Sequence, residues 1–209
     1  MKIFDLSHTI NESIPVYPGT PQPDIRKFAS LNKDGFRETI LCFSSHTGTH
    51  IDAPYHMVEN GKKIDQFPPE TFTGRAAVVT VPAGDQFIER KIIVDRGIDF
   101  QDIDFLLFCT GWSKYWGSNE YFTNFPVLSD EAIELLLSIN LKGVGFDTIS
   151  VDRQGSTDWK IHLSLLGKGM IIVENLNIPE GIPALGDFFC FPLLYGDADG
   201  SPVRAVFIS

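Results

Sequence analysis

His46-Thr47-Gly48-Thr49-His50-Ile51-Asp52-Ala53-Pro54-Tyr55-His56 gathers three of the chain's five histidines and an aspartate into eleven residues. Such a density in a histidine-poor chain points to a shared task. The four-residue spacing of His46 and His50 would suit a helix, but Thr47-Gly48-Thr49 and Ile51 are poor helix formers and Pro54 stops one. The segment therefore reads as extended or looped, and in extended chain residues of equal parity share a face. His46, His50 and Asp52 then converge, with Gly48 permitting close backbone approach. Two imidazoles and a carboxylate on one surface make a borderline-hard pocket suited to Zn²⁺ or Mn²⁺. No glutamate follows His46, so the helical metalloprotease pattern is absent.

Outward from this segment, residues 36–43 read as a strand leading into it. Residues 3–10 alternate as a strand, and 11–24, with Pro15, Pro18, Pro21 and Pro23, form an irregular surface loop. Short apolar runs bounded by turn residues predict further strands at 76–81, 105–109, 144–146, 170–173, 187–194 and 203–208. A helix is expected over 130–139, with Ser129 as N-cap and Asp130 and Glu131 in its electropositive first turn. A second spans 162–166 and ends at Gly167 and Gly169. Many strands and few helices in mixed order predict a compact α+β or mixed-sheet α/β domain, and 209 residues without a linker, repeat or low-complexity tract predict one domain over 1–209.

Within that order, Glu174 closes the apolar run Met170-Ile171-Ile172-Val173, where a carboxylate is costly unless a cation or strong hydrogen bonds compensate it. His162 opens the helix that leads into the same run, so the two lie close in space and a metal ion would answer the cost. The alternative puts Glu174 at an exposed strand end and His162 at a helix cap. His8, between Leu6 and Ile10, reads as a satisfied buried imidazole or a hydrogen-bond donor behind the site. Asp147 and Asp152 read as turn or hydrogen-bonding carboxylates and spare ligands.

With 27 acidic against 17 basic residues, the formal net charge of -10 repels phosphate backbones and anionic lipid, which excludes nucleic acid as the expected partner. No apolar run approaches the roughly 18 residues of a membrane span, and the N-terminus lacks a signal-peptide core. Cys42, Cys109 and Cys190, each flanked by apolar residues, read as buried thiols in a reducing compartment, so the cytoplasm is the expected location.

The residues His46, Gly48, Thr49, His50, Asp52, Pro54 and His56 fit the pattern H-x-G-T-H-x-D-x-P-x-H, and on it the chain resembles the cyclase family of metal-dependent hydrolases, whose best-known branch is bacterial kynurenine formamidase (arylformamidase). The resemblance runs from Asp5-Leu6-Ser7 and Pro15-Val16-Tyr17-Pro18-Gly19, through His162 and Glu174, to Asp199-Gly200-Ser201-Pro202-Val203-Arg204-Ala205. It implies an α/β chain in a swivelling β/β/α fold and a homo-oligomer, a dimer or tetramer. It also implies a site for two divalent ions, zinc first and manganese second, with His46, His50 and Asp52 holding one. Asp52, His162 and Glu174 would hold the other, with Asp52 bridging and Glu174 reaching both, and His56 matches the proton donor and acceptor. Tyr17 stands where similar kynurenine formamidases carry a tryptophan associated with the aryl substrate; a tyrosine stacks with less area and adds a polar tip.

The expected function is hydrolysis of a small-molecule formamide or related amide, such as N-formylkynurenine to kynurenine and formate, with the ions activating water and polarising the carbonyl. The alternative within the family is an isatin-type lactam or other cyclic amide. Outside catalysis, the rival is a metal-stabilised protein that binds a small ligand. A structural zinc is closed by four protein ligands, whereas five candidate ligands plus His56 fit two open ions better.

Overall fold

In the computed structural model, which describes residues 1–209, the chain opens with β1 (Ile3–Asp5). The proline-rich stretch follows as a loop, and then a hairpin of β2 (Asp24–Ala29) and β3 (Glu38–Cys42) encloses the single turn α1 (Leu31–Asp34). The histidine segment supplies β4 (His50–Asp52), extended as its parity requires, and Pro54 starts a 3-10 turn that ends at His56. Next come β5 (Thr73–Thr80), β6 (Phe87–Ile88), α2 (Arg90–Val94), β7 (Phe105–Cys109) and β8 (Val127–Leu128). α3 (Asp130–Ser138) starts where Ser129 accepts a hydrogen bond from the Ala132 amide, the expected cap. β9 (Gly143–Phe146), α4 (Lys160–Gly167), β10 (Ile171–Glu174), β11 (Leu185–Phe189), β12 (Gly200–Pro202) and β13 (Val206–Ile208) complete the chain.

Nine strands form one mixed sheet in the order β1-β13-β11-β5-β7-β9-β10-β4-β12. Its centre, β5-β7-β9-β10, is parallel, and the flanking strands are antiparallel. Side-chain alternation divides the core. Ala77, Val79, Leu106, Phe108, Val144, Phe146 and Ile172 join the cluster that includes α3 and α4, while Ala76, Val78, Phe105, Leu107, Ile171 and Val173 fill the opposite face with Phe188 and Phe207. The central strands are apolar on both faces because both are covered.

Several expected boundaries move. The strand expected over 3–10 stops at Asp5, that over 187–194 is β11 and ends at Phe189, and that over 203–208 shortens to β13. β3 pairs with β2 outside the main sheet and is exposed along its length, because the hairpin stands clear of both cores. Cys42 lies on it and is exposed, which corrects the expectation of three buried thiols; Cys109 and Cys190 are buried. α4 begins two residues before His162, and Gly169 takes the left-handed turn (φ +89°) that redirects the chain into β10.

Candidate metal and active site

Strand register assembles the site. β4 runs antiparallel to β10 with His50 opposite Glu174 and Asp52 opposite Ile172, so both β4 side chains share a face with Glu174. α4 packs on that face and lowers His162 beside it. On the other side of β4, β12 places Gly200 opposite Asp52, where no side chain would fit: a Cβ there would lie 2.5 Å from His46 Cε1. Gly48 adopts φ +64° and turns the chain between His46 and β4.

Asp52, 1% exposed, is the hub. Its Oδ1 lies 2.6 Å from His46 Nδ1 and 3.3 Å from His50 Nε2. Its Oδ2 is buried with no hydrogen-bond partner, 3.7 Å from His162 Nε2. Glu174 Oε2 is 3.6 Å from His50 Nε2, and Oε1 is 3.3 Å from His162 Nε2 and accepts the Val151 amide at 2.9 Å. Two imidazoles are oriented from behind. His50 Nδ1 donates to the Gly48 carbonyl at 2.8 Å, and His162 Nδ1 donates to Asp152 at 2.7 Å. Each bond favours the tautomer whose Nε2 lone pair faces Asp52 and Glu174, the arrangement found behind metal-ligating histidines.

Lone pairs and carboxylates facing one another across a buried space repel unless a cation lies between them. The ligand atoms of His46, His50 and Asp52 all lie within 4.8 Å of one another, as do those of Asp52, His162 and Glu174. The orphaned Asp52 Oδ2 and this oxygen- and imidazole-rich donor set fit divalent ions of the zinc or manganese type.

The pKa shifts of these groups follow from the same charge imbalance. Burial works against charge on His162, but Asp152, Asp52 and Glu174 outweigh it and hold the imidazole well above its ordinary range. Burial likewise opposes a charged His46, yet Asp52 and Asp199 push it up to about 10. Asp52 is held well below the usual carboxylate range, its desolvation overcome by His46, His162 and His50. The pocket demands positive charge, which protons supply when ions do not, so metal binding there competes with protons.

His46, His50, Asp52, His162, Glu174, His56 and Tyr17 line one cavity of about 230 Å³, together with Thr20, Ser44, Met57, Ile149, Ser150, Trp159 and Asn175. His56 ends the 3-10 turn after Pro54; its ring lies 3.9 Å, centroid to centroid, from His46, and its Nδ1 is 3.8 Å from Asp199 Oδ2. Burial, joined by the nearby His46 and His162, lowers its pKa to about 4, so it is neutral at neutral pH.

His8 does not line the cavity. Its ring stacks on Trp116 at 3.8 Å and 4°, and its buried Nε2 has no partner, which corrects the expectation of a satisfied imidazole. Asp147 is occupied elsewhere, accepting from Thr110 and Trp112. Asp152, a spare ligand in sequence, instead orients His162. Three contributors were not singled out in the sequence. Asp199 lies 3.1 Å from His46 Nε2, Asn175 donates to the Gly48 carbonyl at 2.9 Å, and Trp159 lines the cavity. Asp199 is far from the histidines in sequence, and only the pairing of β12 with β4 delivers it.

A family model described as "Putative cyclase" matches residues 4–153. The kynurenine formamidase of Salinibacter ruber (strain DSM 13855 / M31) is 30% identical over 208 residues, 99% of this chain and 97% of its own length. Among solved structures, isatin hydrolase A from Labrenzia aggregata, bound to benzyl benzoate, superposes with a TM-score of 0.87 at 26% identity, over 99% of this chain and 93% of that one. A structure described as a potential metal-dependent hydrolase with cyclase activity superposes at 0.80 with 28% identity, covering 99% of this chain and 96% of its own. The mixed sheet with few helices is thus shared over the full length, and with well over half of its residues matched by the family model, the chain belongs to the cyclase family.

Proposed function

We propose that residues 1–209 act as one metal-dependent hydrolase unit that cleaves a non-peptide amide, with an aryl formamide of the N-formylkynurenine type as the leading substrate. The observation that carries this reading is the orphaned, buried Asp52 Oδ2 facing imidazole lone pairs beside an open cavity. A closed structural ion would leave no such opening. His46, His50 and Asp52 would hold one ion and Asp52, His162 and Glu174 the other, with Asp52 bridging, zinc as first choice and manganese as second. When bound, such ions polarise the carbonyl and lower the pKa of water toward neutrality.

The chain's own residues do the rest. Neutral His56, whose Nδ1 is turned toward Asp199, takes the proton from the attacking water at Nε2 and returns it to the departing amine nitrogen. A new C–O bond replaces the C–N bond, releasing formate and the arylamine. Tyr17 forms part of the wall against which the substrate ring rests. The 30% identity to a kynurenine formamidase supports the formamide, and the 0.87 superposition on an isatin hydrolase supports an isatin-type lactam as the second reading. The test is turnover by zinc- or manganese-loaded protein of N-formylkynurenine, a simple aryl formamide and isatin. Hydrolysis of one or more is expected, and no turnover of any overturns the proposal.

The proposal extends to a homo-oligomer acting in the cytoplasm. Phe28, Phe36 and Leu41, exposed on a hairpin that has no cover, support a second copy as partner, and the unpaired Cys109 and Cys190 support a reducing compartment. No helix is long and apolar enough to cross a membrane. Light scattering that returns a monomer mass at micromolar concentration would remove the oligomer.

A further inference from the structure

One aromatic residue of the cavity has a backbone that its side chain disfavours. Trp159, immediately before α4, sits at φ 47° and ψ 39°, the left-handed region that glycine or asparagine adopts more easily than any bulky residue. Its surroundings impose that conformation. The Trp159 amide donates to Ser156 Oγ at 3.3 Å, its carbonyl accepts the Leu163 amide at 2.9 Å, and the amides of Ile161 and His162, just inside α4, both donate to Asp152 at 3.0 Å. Such strain persists where a side chain is needed at that place, and the inference runs from the observed outlier to the role.

The place is the wall of the cavity. The Trp159 ring lies 6.1 Å from the Tyr17 ring with their planes at 55°, and 6.1 Å from the His162 ring. Tyr17 arrives from the proline-rich loop, its carbonyl closing a turn with the Thr20 amide. At that separation and tilt no third ring fits between the two rings. They form an open corner whose other apolar members are Met57 and Ile149. A flat ring packed against the indole then lies beside His162. Because the indole lies only 6.1 Å from the His162 ring, a short link between ring and carbonyl suits this corner better than a chain of several methylenes.

We propose that Trp159 is a specificity-determining residue that, with Tyr17, binds the aromatic ring of a substrate whose scissile amide nitrogen is attached directly to that ring. This rests on the hydrolase reading above and deepens it, and binding and turnover test the two separately. The binding probe is 2-aminoacetophenone, an aromatic ketone with no bond to hydrolyse, titrated calorimetrically into the metal-loaded protein. Trp159→Asn tolerates the left-handed backbone and removes the ring; it is expected to weaken binding by about tenfold or more, while Trp159→Phe stays within about threefold of the parent. In turnover, Trp159→Asn is expected to raise KM for N-formylkynurenine by a similar factor, and by several-fold more than it raises KM for N-butylformamide, with the metal content unchanged. Equal affinity of parent and Trp159→Asn for the ketone, or no binding by the parent, overturns the inference even if amides are cleaved. Absent turnover with intact ketone binding overturns the hydrolase reading instead. Should Trp159→Asn fail to fold, the parent labelled with 5-fluorotryptophan decides: the resonance missing from Trp159→Phe must move on adding the ketone, and an unmoved resonance overturns the inference.

Discussion

Asp152 makes no contact with the proposed ions, yet its replacement should disturb one of the two sites selectively. It is 4% exposed and accepts three hydrogen bonds: the Ile161 amide at 3.0 Å, the His162 amide at 3.0 Å and His162 Nδ1 at 2.7 Å. Burial raises its pKa, but His162 and the two amides outweigh that and hold it below the ordinary value, so it is ionised at neutral pH. Asp152→Ala leaves the two amides at the start of α4 and the imidazole N–H without their acceptor. Losing a helix cap costs about 0.5–2 kcal/mol and an unsatisfied buried donor about 1–3, so the metal-free fold should lose roughly 2–4 kcal/mol. Asp152→Asn tests the electronic part alone. Asp152 Oδ1 accepts from the Ile161 amide and Oδ2 from both the His162 amide and Nδ1–H, so an Asn keeps one acceptor for these three donors and loses the charge that strengthens the bond to Nδ1–H. The imidazole is then held less firmly in the tautomer whose Nε2 lone pair faces Asp52 and Glu174. Loss of such a supporting partner typically lowers metal affinity about 10- to 100-fold, or roughly 1.4–2.7 kcal/mol. Zinc affinity measured by competition with a chelating indicator should therefore show one weakened and one intact site in Asp152→Asn. Two unchanged affinities would refute the claim that Asp152 sets the His162 tautomer.

Further expectations concern composition, catalysis and pH. Elemental analysis after metal-supplemented expression should give close to two transition-metal ions per chain; a value near one removes the bridging role of Asp52, and a value near zero removes the site. His56→Ala should keep its metal and lose about 10²- to 10⁴-fold in kcat, whereas His50→Ala should lose metal; depletion in both would make His56 a ligand. Tyr17→Ala should shift substrate preference without changing metal content, and unaltered KM and kcat on every substrate would make the proline-rich loop merely structural. Burial raises the Asp147 carboxyl from its ordinary 3.8 to about 6. The folded protein therefore binds that proton more tightly than the unfolded chain does, and the associated stability, about 3 kcal/mol, is present below pH ~4 and lost as pH rises through ~6. Tm followed from pH 4 to 7 in chelator should fall less steeply for Asp147→Asn than for the parent, and parallel profiles would contradict the assignment.

Where sequence spoke, it did so through local chemistry. Backbone rules that deny a helix to Thr47-Gly48-Thr49 and Pro54 left the histidine segment extended or looped; β4 carries His50 and Asp52 on one face, while His46 reaches them from before the left-handed turn at Gly48. Ser129 and the acidic first turn located α3 almost to the residue, and the apolar run before Glu174 announced a carboxylate in need of a partner. Local pattern stops at the ends of elements. That His50 faces Glu174 depends on the register of β4 against β10, and that Asp199 reaches His46 depends on β12 pairing with β4, across 153 residues of chain. The apolar residues of β3 predicted a strand without saying that it would pair only with β2 and leave Cys42 in solvent, because apolarity records fitness for burial and not which surface arrives to cover it. Sequence determined which side chains could bind a cation and which neighbours shared their face. Only the tertiary structure decided which distant carboxylates and rings met them, because strand register and helix docking are settled by the packing of the whole core.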